Sequence, residues 1–287
     1  MSRETVKEIF PIGYRPKLGF LSTEMGIKLI KDTFEKRLAE KLSLTRVSAP
    51  RFLITGTGLQ DDLAGTQEPV AFKTKFSPAP IEIVHSLAKW KRAALHKYGF
   101  GYGTGLYTDM DAIRKDEEVS PIHSIYVDQW DWERVISDKE RTDDFLKEIV
   151  KKIYEAVLET EEVIVRFFPE LKKTLPKQIG FIRTEELEKR WPALTPKERE
   201  DKIAKELGAV FVMGIGYKLR SGEPHDLRAA DYDDWSLCGD IIVWDHIREK
   251  SLELSSMGIR VDKESLMKQL KEMDQTHKKD LDFHKGI

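Results

Sequence analysis

The stretch HSIYVDQWDWERVI, residues 123–136, decides the fold class. From Ile125 to Ile136 its side chains alternate with a period of two. Val127, Gln129, Asp131 and Glu133 fall on one face, and Tyr126, Asp128, Trp130 and Trp132 on the other. Successive side chains of a strand point to opposite faces, so this is a β-strand with two chemically different surfaces. Tryptophans packed toward helices would leave Gln129 and Asp131 pointing together from the opposite face, an amide and a carboxylate able to hold a small zwitterion. A polar strand surface facing solvent accounts for the pattern equally well when the strand is read alone.

Working outward, GAVFVMGIG (208–216), GDIIVWDHI (239–247) and ELSSMGIRV (253–261) are short, branched or aromatic, and bounded by Gly, Asp or Ser, as strands are. LTRVSAPRFLITG (44–56) reads as a strand interrupted by Pro50, which cannot donate to a ladder and so suits an edge or bend. Ile27, Ile30, Phe34, Leu38 and Leu42 predict an amphipathic helix over 22–42, with Ser22 or Thr23 placed to cap it. Two rows of apolar residues at four-residue steps predict a long helix from Asp143 to Phe168. Thr195-Pro196-Lys197-Glu198 opens another, running to about Leu207, because Thr can cap, Pro suits the first turn and Glu can reach back. HSLAKWKR (85–92) opens a third helix, and Lys263 to Lys285 reads as a charged helical tail with a solvated face. The helices fall around and between strands without regular βαβ alternation. The fold class is therefore α+β, a largely antiparallel sheet flanked by helices.

The chain has 287 residues, 40% of them hydrophobic, enough for one large domain around one core. Its 48 basic and 50 acidic residues give a net charge of -2, without the excess that a nucleic-acid binder carries, so no nucleic-acid partner is expected. Cys238 is the only cysteine, which excludes an intramolecular disulfide and a Cys-based structural zinc site and fits a reducing cytoplasm. The opening MSRETVKEIFPIGYRPKLGF carries charges on both sides of a very short apolar run, so neither a signal peptide nor a membrane span is expected.

Several clusters could carry chemistry. Ser86, Lys89, Lys91 and Arg92 lie together at one helix start and could bind carboxylate or phosphate; in isolation the cations read more simply as a wet helix face, and His85 as a satisfied histidine. Arg114 follows the short strand GLYTDMDAI and offers a fork for an α-phosphate, although a charged turn is the simpler reading of RKDEE. GFGYGTG before it is too loose to count as a phosphate loop. Asp231, Asp233, Asp234, Asp240 and Glu253 enrich the second half in carboxylates suited to Mg2+ carried in by nucleotide phosphates. Surface positions account for Asp231 and Asp234; Glu253 begins a segment that reads as buried.

In order and approximate spacing, HSLAKWKR, GLYTDMDAIR, VDQWDWERV, GAVFVMGIG, RAADYDDW, GDIIVW and ELSSMGIRVD resemble the ammonia-dependent asparagine synthetase family, from about residue 20 onward. The resemblance implies a catalytic domain like that of class II aminoacyl-tRNA synthetases, working as a homodimer through the helix and strand around Pro50. It implies that ATP and L-aspartate form β-aspartyl-AMP and pyrophosphate, and that ammonia then displaces AMP to give asparagine. Carried over, Asp61 in GLQDDLAG, Ser86, Lys91, Gln129, Asp131, Asp233, Ser256 and Arg260 line the aspartate site. Lys91 and Arg260 would grip carboxylates, and Asp61 would orient or deprotonate the incoming ammonium, which must be neutral to attack. Arg114 would hold the α-phosphate with Glu117 in the nucleotide site, and Asp240 and Glu253 would bind Mg2+. The expected catalytic residues are Asp61, Lys91, Arg114 and Gln129.

Two departures from the family pattern accompany these expectations. Ser236-Leu237-Cys238 stand where the family has a longer, Gly-containing loop. Residues 1–287 are expected to form a single catalytic domain that lacks the Gly-rich strand and helix bearing a third-motif arginine. The alternative on the same pocket is a non-catalytic dimeric relative that binds aspartate, asparagine or adenylate. A full aminoacyl-tRNA synthetase is disfavoured, since there is no room for an anticodon-binding barrel.

Overall fold

Helix α1 spans Phe20–Leu42 and shows at once where packing departs from periodicity. Leu38 and Leu42 are buried, but Phe20 is 98% exposed and Leu21, Met25, Ile27 and Ile30 are exposed with it. The apolar stripe is therefore covered only at its C-terminal end by the described residues. Neither capping candidate caps. The helix begins before Ser22, and the Thr23 hydroxyl donates back to the Gly19 carbonyl at 3.0 Å, the bond a threonine makes inside a first turn. The computed structural model describes residues 11, 13–60, 63, 67–120 and 122–280. No helix among them is long and apolar enough to cross a membrane.

The described residues gather into two units, each assembled from separated segments. Among the described residues, one comprises those within 42–141, 227–234 and 259–280, and the other those within 11–41, 142–226 and 235–258.

In the first unit Pro50 separates two short strands, β1 (Leu44–Arg46) and β2 (Phe52–Ile54), which enter different sheets. The single interrupted strand of the sequence is thus a bend between two ladders. β2 pairs antiparallel with β4 (Ile81–Ile83), which also pairs with β3 (Ala71–Phe72). The other sheet has the order β1-β5-β6, with β5 at Gly105–Ile113 and β6 at Tyr126–Arg134. β1 and β5 run parallel, and β5 and β6 antiparallel with register Gly105↔Arg134 through Ile113↔Tyr126. A side chain at Gly105 would strike the Glu133 backbone, so glycine permits this close approach.

Helix α2, Ala88–Lys97, packs on this sheet. Leu87, Met110, Ala112, Trp90 and Val127 form one cluster, and Ala94, Leu95 and Leu106 a second. Hence the face of β6 turned to the helix is the one with Val127, Gln129, Asp131 and Glu133, and the tryptophans lie on the opposite face. This reverses the condition set from β6 alone. The reason lies in β5: Leu106, Thr108, Met110 and Ala112, opposite Glu133, Asp131, Gln129 and Val127, are all buried, whereas Asp109 and Asp111 share the tryptophan face. Helix α6, Lys263–Glu272, completes the unit, with Asp262 accepting from the Ser265 amide at its start.

The second unit carries α3 (Asp143–Phe167), capped by Thr142, then β7 (Gly180–Arg183) and α4 (Thr184–Arg190). Helix α5, Pro196–Leu207, begins with the capping box predicted for it: Thr195 accepts from the Glu198 amide, and the Glu198 carboxylate accepts from Thr195. Its sheet has the order β10-β9-β8-β7, with β8 at Ala209–Met213, β9 at Asp233–Asp245 and β10 at Lys250–Arg260. β7 and β8 are parallel, and β8 and β9 antiparallel. β8 is AVFVM and is buried along its whole length, a continuous apolar run as a central strand requires. Strand β9 runs through Ser236-Leu237-Cys238 without a break, so these residues are ladder and not loop. The first two residues of β9 and the last two of β10 belong to the first unit.

Candidate active site

Helix α2 delivers two lysines into the interior of the first unit. Lys89 and Lys91 are each only 3% exposed, which overturns the wet-face reading. A buried ammonium costs several kcal/mol unless it is paired, and both are paired. Lys89 Nζ lies 2.8 Å from Asp231 Oδ2. Lys91 bridges to Asp131 Oδ1, donates to the Trp132 carbonyl at 3.1 Å and lies 3.7 Å from Glu133 Oε2. Two residues apart on one helix, the lysines reach different carboxylate groups on different segments. Ser86, just before the helix, accepts from the Ala88 amide at 3.1 Å.

Arg260, at the end of β10, closes the arrangement. Its Nε and Nη2 donate to Glu133 at 2.8 and 2.6 Å, its Nη1 donates to Asp233, and its guanidinium lies 3.6 Å from the centre of the Tyr232 ring. A fork bound on two edges and stacked on one face has little freedom left. Burial alone would lower the pKa of Arg260, but Asp233 and Glu133 hold it well above its ordinary value. Burial alone would likewise raise Glu133, yet Arg260, with Lys91 and Arg92, brings that carboxyl below the usual range. Burial drives the Tyr232 hydroxyl well above its ordinary pKa, so the ring is neutral. Arg92 donates to the Val261 carbonyl at 3.4 Å, and burial, with Arg260 and Arg141 nearby, lowers its pKa against the pull of Glu133.

Asp231 and Asp234 are buried, contrary to their reading as surface carboxylates. Asp234 accepts from Arg141 Nη2 at 2.8 Å, and Arg141 Nη1 donates to the Arg260 carbonyl. The run Asp231-Tyr232-Asp233-Asp234 is therefore a buried hub: each member meets a cation from elsewhere in the chain.

The structure brings together Lys91, Asp131, Asp233 and Arg260 among the residues carried over for aspartate. Gln129 is an exposed member of the same β6 face, and Ser86 is half-buried at the helix start. Asp61 lies outside the described residues. Ser256 belongs to the second unit and is exposed on β10. Glu253 is also exposed, because the middle of β10 is an open stretch of the last strand in the sheet order, so the reading of that segment as buried holds only toward its end. Asp240 is buried on the neighbouring β9. Among the described residues no three metal-binding side chains cluster. Arg114 follows β5, half-buried, with its Nε buried and without a hydrogen-bond partner; Glu117 is half-buried and its amide donates to the Arg114 carbonyl at 3.1 Å.

Not singled out from the sequence as site residues were Glu133, Arg141 and Tyr232, and Lys89 stood there only as one of three cations at a helix start. Glu133 was legible in principle, since it shares the Asp131 face. Arg141, in the charged turn between strand and helix, gave no signal.

The chain matches the family model for aspartate-ammonia ligase over residues 21–287. It is 56% identical over 282 residues to an aspartate–ammonia ligase of Clostridium perfringens, covering 98% of this chain and 84% of that protein. It is 54% identical over 289 residues to one from Parabacteroides distasonis, covering 97% of this chain and 84% of that protein. In fold it is similar to asparaginyl-tRNA synthetase of Entamoeba histolytica, with a TM-score of 0.58 and 13% identity over 88% of this chain and 56% of that one. The asparaginyl-tRNA synthetase of Pyrococcus horikoshii gives a TM-score of 0.58 at 17% identity, over 88% of this chain and 58% of that one. At these identities the structures speak for a class II aminoacyl-tRNA synthetase-like fold alone, while the sequence matches settle the family: this chain belongs to the aspartate-ammonia ligases.

Proposed function

We propose that the Lys91–Asp131 and Glu133–Arg260–Asp233 network binds L-aspartate for its ATP-dependent conversion to L-asparagine. The observation that carries this is the paired charge: two cations held between three carboxylates on one face of β6 and the adjoining segment. Aspartate presents two carboxylates and one ammonium. Its carboxylates would replace protein carboxylates on Lys91 and Arg260, and the released Asp131 or Asp233 would take the ammonium. Such an exchange keeps Lys91, Arg260 and the substrate ammonium each paired, and frees one protein carboxylate.

Free carboxylate is a poor acyl donor, so the reaction needs activation. The β-carboxylate oxygen attacks the α-phosphorus of ATP, pyrophosphate leaves, and β-aspartyl-AMP forms. Ammonia then attacks the acyl carbon, AMP departs with the former carboxylate oxygen, and the proton lost from nitrogen goes to a base, a role proposed for Asp61. Arg114 suits the α-phosphate, because its Nε is buried and donates to nothing within the described residues. There it would offset charge growing on the phosphoryl oxygens. Gln129 would orient a substrate carboxylate or the ammonium from the same strand face, and Ser86 would hold the start of α2.

Mg2+ usually takes one or two protein carboxylates and fills its shell with phosphate oxygens and water. Asp240 and Glu253, on neighbouring strands, match that donor number and are proposed to hold it; bound there, the ion would supply charge neutralisation at the phosphates. The exposed half of α1 is an apolar surface of the kind that associates, so a homodimer is proposed through it. The proposed location is the cytoplasm.

The intermediate has a direct test. With 18O in the β-carboxylate, AMP from each turnover should carry one labelled oxygen. Label confined to asparagine and aspartate would contradict adenylate activation.

A further inference from the structure

Among the described residues of the charged tail, Leu266, Gln269, Leu270 and Lys278 are buried. Gln269, on α6, is fully buried. Its Nε2 donates to two main-chain carbonyls of the hub at once, Ala230 at 3.0 Å and Asp233 at 2.9 Å. Of the two carbonyls between them, that of Tyr232 accepts from the Val261 amide at 2.9 Å. A single amide group thus bridges two carbonyls three residues apart, and the side chains between them are those that meet Lys89 and Arg260. The segment has no regular structure up to Tyr232, so no helix or ladder fixes it up to that point. Its shape depends on what grips it.

We propose that Gln269 is a positioning residue for aspartate binding: its bifurcated amide sets the conformation of residues 230–233 and so holds the Asp233 carboxylate beside Arg260, where it can take the substrate ammonium once a substrate carboxylate sits on the guanidinium. It touches no substrate atom. The inference rests on the reading of Arg260 and Asp233 as part of the aspartate site. A neutral donor suits the task, because a lysine here would compete for the carboxylates it is meant to place, and a glutamate would set oxygen against two carbonyl oxygens. Glutamine supplies two N–H groups on one nitrogen and no charge. Removing them leaves two buried carbonyls unsatisfied, and the segment relieves this by moving.

The test is the full chain carrying Gln269→Met, close in volume and without donors. KM for aspartate is expected to rise about tenfold or more, while KM for ATP changes by less than about threefold, since small misplacements at a binding site are costly and the nucleotide side is untouched. KM does not depend on the fraction of enzyme that is folded, so a less stable variant still reports. Gln269→Asn keeps both donors but withdraws them by one methylene, and is expected to show the same split at smaller size; it serves alone if the Met variant yields no soluble protein. An unchanged KM for aspartate in the variant measured, or equal rises in both constants, overturns the proposal. Calorimetric titration of aspartate into the unmodified chain and into Arg260→Met separates the two levels. If the unmodified chain binds and Arg260→Met does not, a normal Gln269 variant sinks only the positioning role; if Arg260→Met binds normally, the site reading itself fails.

Discussion

Glu133 on β6 and Arg260 at the end of β10 meet through two parallel hydrogen bonds, 2.6 and 2.8 Å long, although 127 residues separate them in sequence. No local pattern brings them together. The pair fixes the guanidinium edge, leaving Nη1 for Asp233.

Replacing Glu133 by Gln removes the charge and turns an NH2 group toward the guanidinium. Breaking one side of a buried ion pair costs about 3–5 kcal/mol, and the partial exposure of Arg260 places this case near the lower end. Urea unfolding of the variant should lose roughly 3 kcal/mol with an unchanged m-value. A loss within a few tenths of zero would mean that the pair contributes nothing.

The same pair sets an acid limit on stability. Glu133 titrates below its ordinary 4.5 when folded. Glu200, in the second unit, does so as well, where a hydrogen bond from His225 and the charge of Lys197 outweigh burial. A carboxyl with a lower pKa in the folded state binds more protons when unfolded. Its contribution is fully present above the unfolded value and is lost as pH falls through the folded one. The urea midpoint should therefore stay nearly level from about pH 7 to about pH 5.5 and drop below about pH 4.5, with a shallower acid drop in Glu133→Gln. Equal slopes for both proteins would assign the acid limit elsewhere.

Lys89→Met removes the ammonium 2.8 Å from Asp231, a carboxylate with a fully buried side chain, and should destabilise the chain by about 3 kcal/mol or more. Pairing it with Asp231→Leu removes the opposing buried charge as well and should recover a substantial part of that loss, as apolar replacements of buried ion pairs do. Thermal unfolding of the three variants checks this. A double variant worse than the sum of the single ones would show that the ion pair itself is not the source.

Arg114→Ala should slow aspartate-dependent ATP–pyrophosphate exchange about a hundredfold or more, the usual loss on removing one preorganised donor from a developing charge. KM for aspartate should hold. A normal exchange rate would remove Arg114 from the nucleotide site.

Most elements were legible where local chemistry decides them. Thr195 and Glu198 mark the start of α5, the alternation of β6 is real, and the apolar run of β8 is a buried strand. Ser22 and Thr23 misled because a hydroxyl can bond back within a first turn as well as cap it. The orientation of β6 was not legible from β6, since Trp130 and Trp132 outweigh Asp131 and Glu133 in apolar bulk; the alternation of β5 decides it. In the candidate site, Lys91, Asp131, Asp233 and Arg260 were found through family resemblance. Their partners escaped because a lysine on a charged helix and an aspartate in an acidic run look the same whether wet or buried. Asp231 and Lys89 differ from surface residues only by what lies across from them, and that is set by chain segments more than a hundred residues apart.

The most direct test of the account is one reaction of the purified chain with ATP, Mg2+, L-aspartate and ammonium, in which asparagine and pyrophosphate are measured together. Equal amounts of the two products, both absent when aspartate is withheld, are the expected result. Aspartate binding without either product would contradict the ligase and leave a protein that holds its substrate and does not transform it.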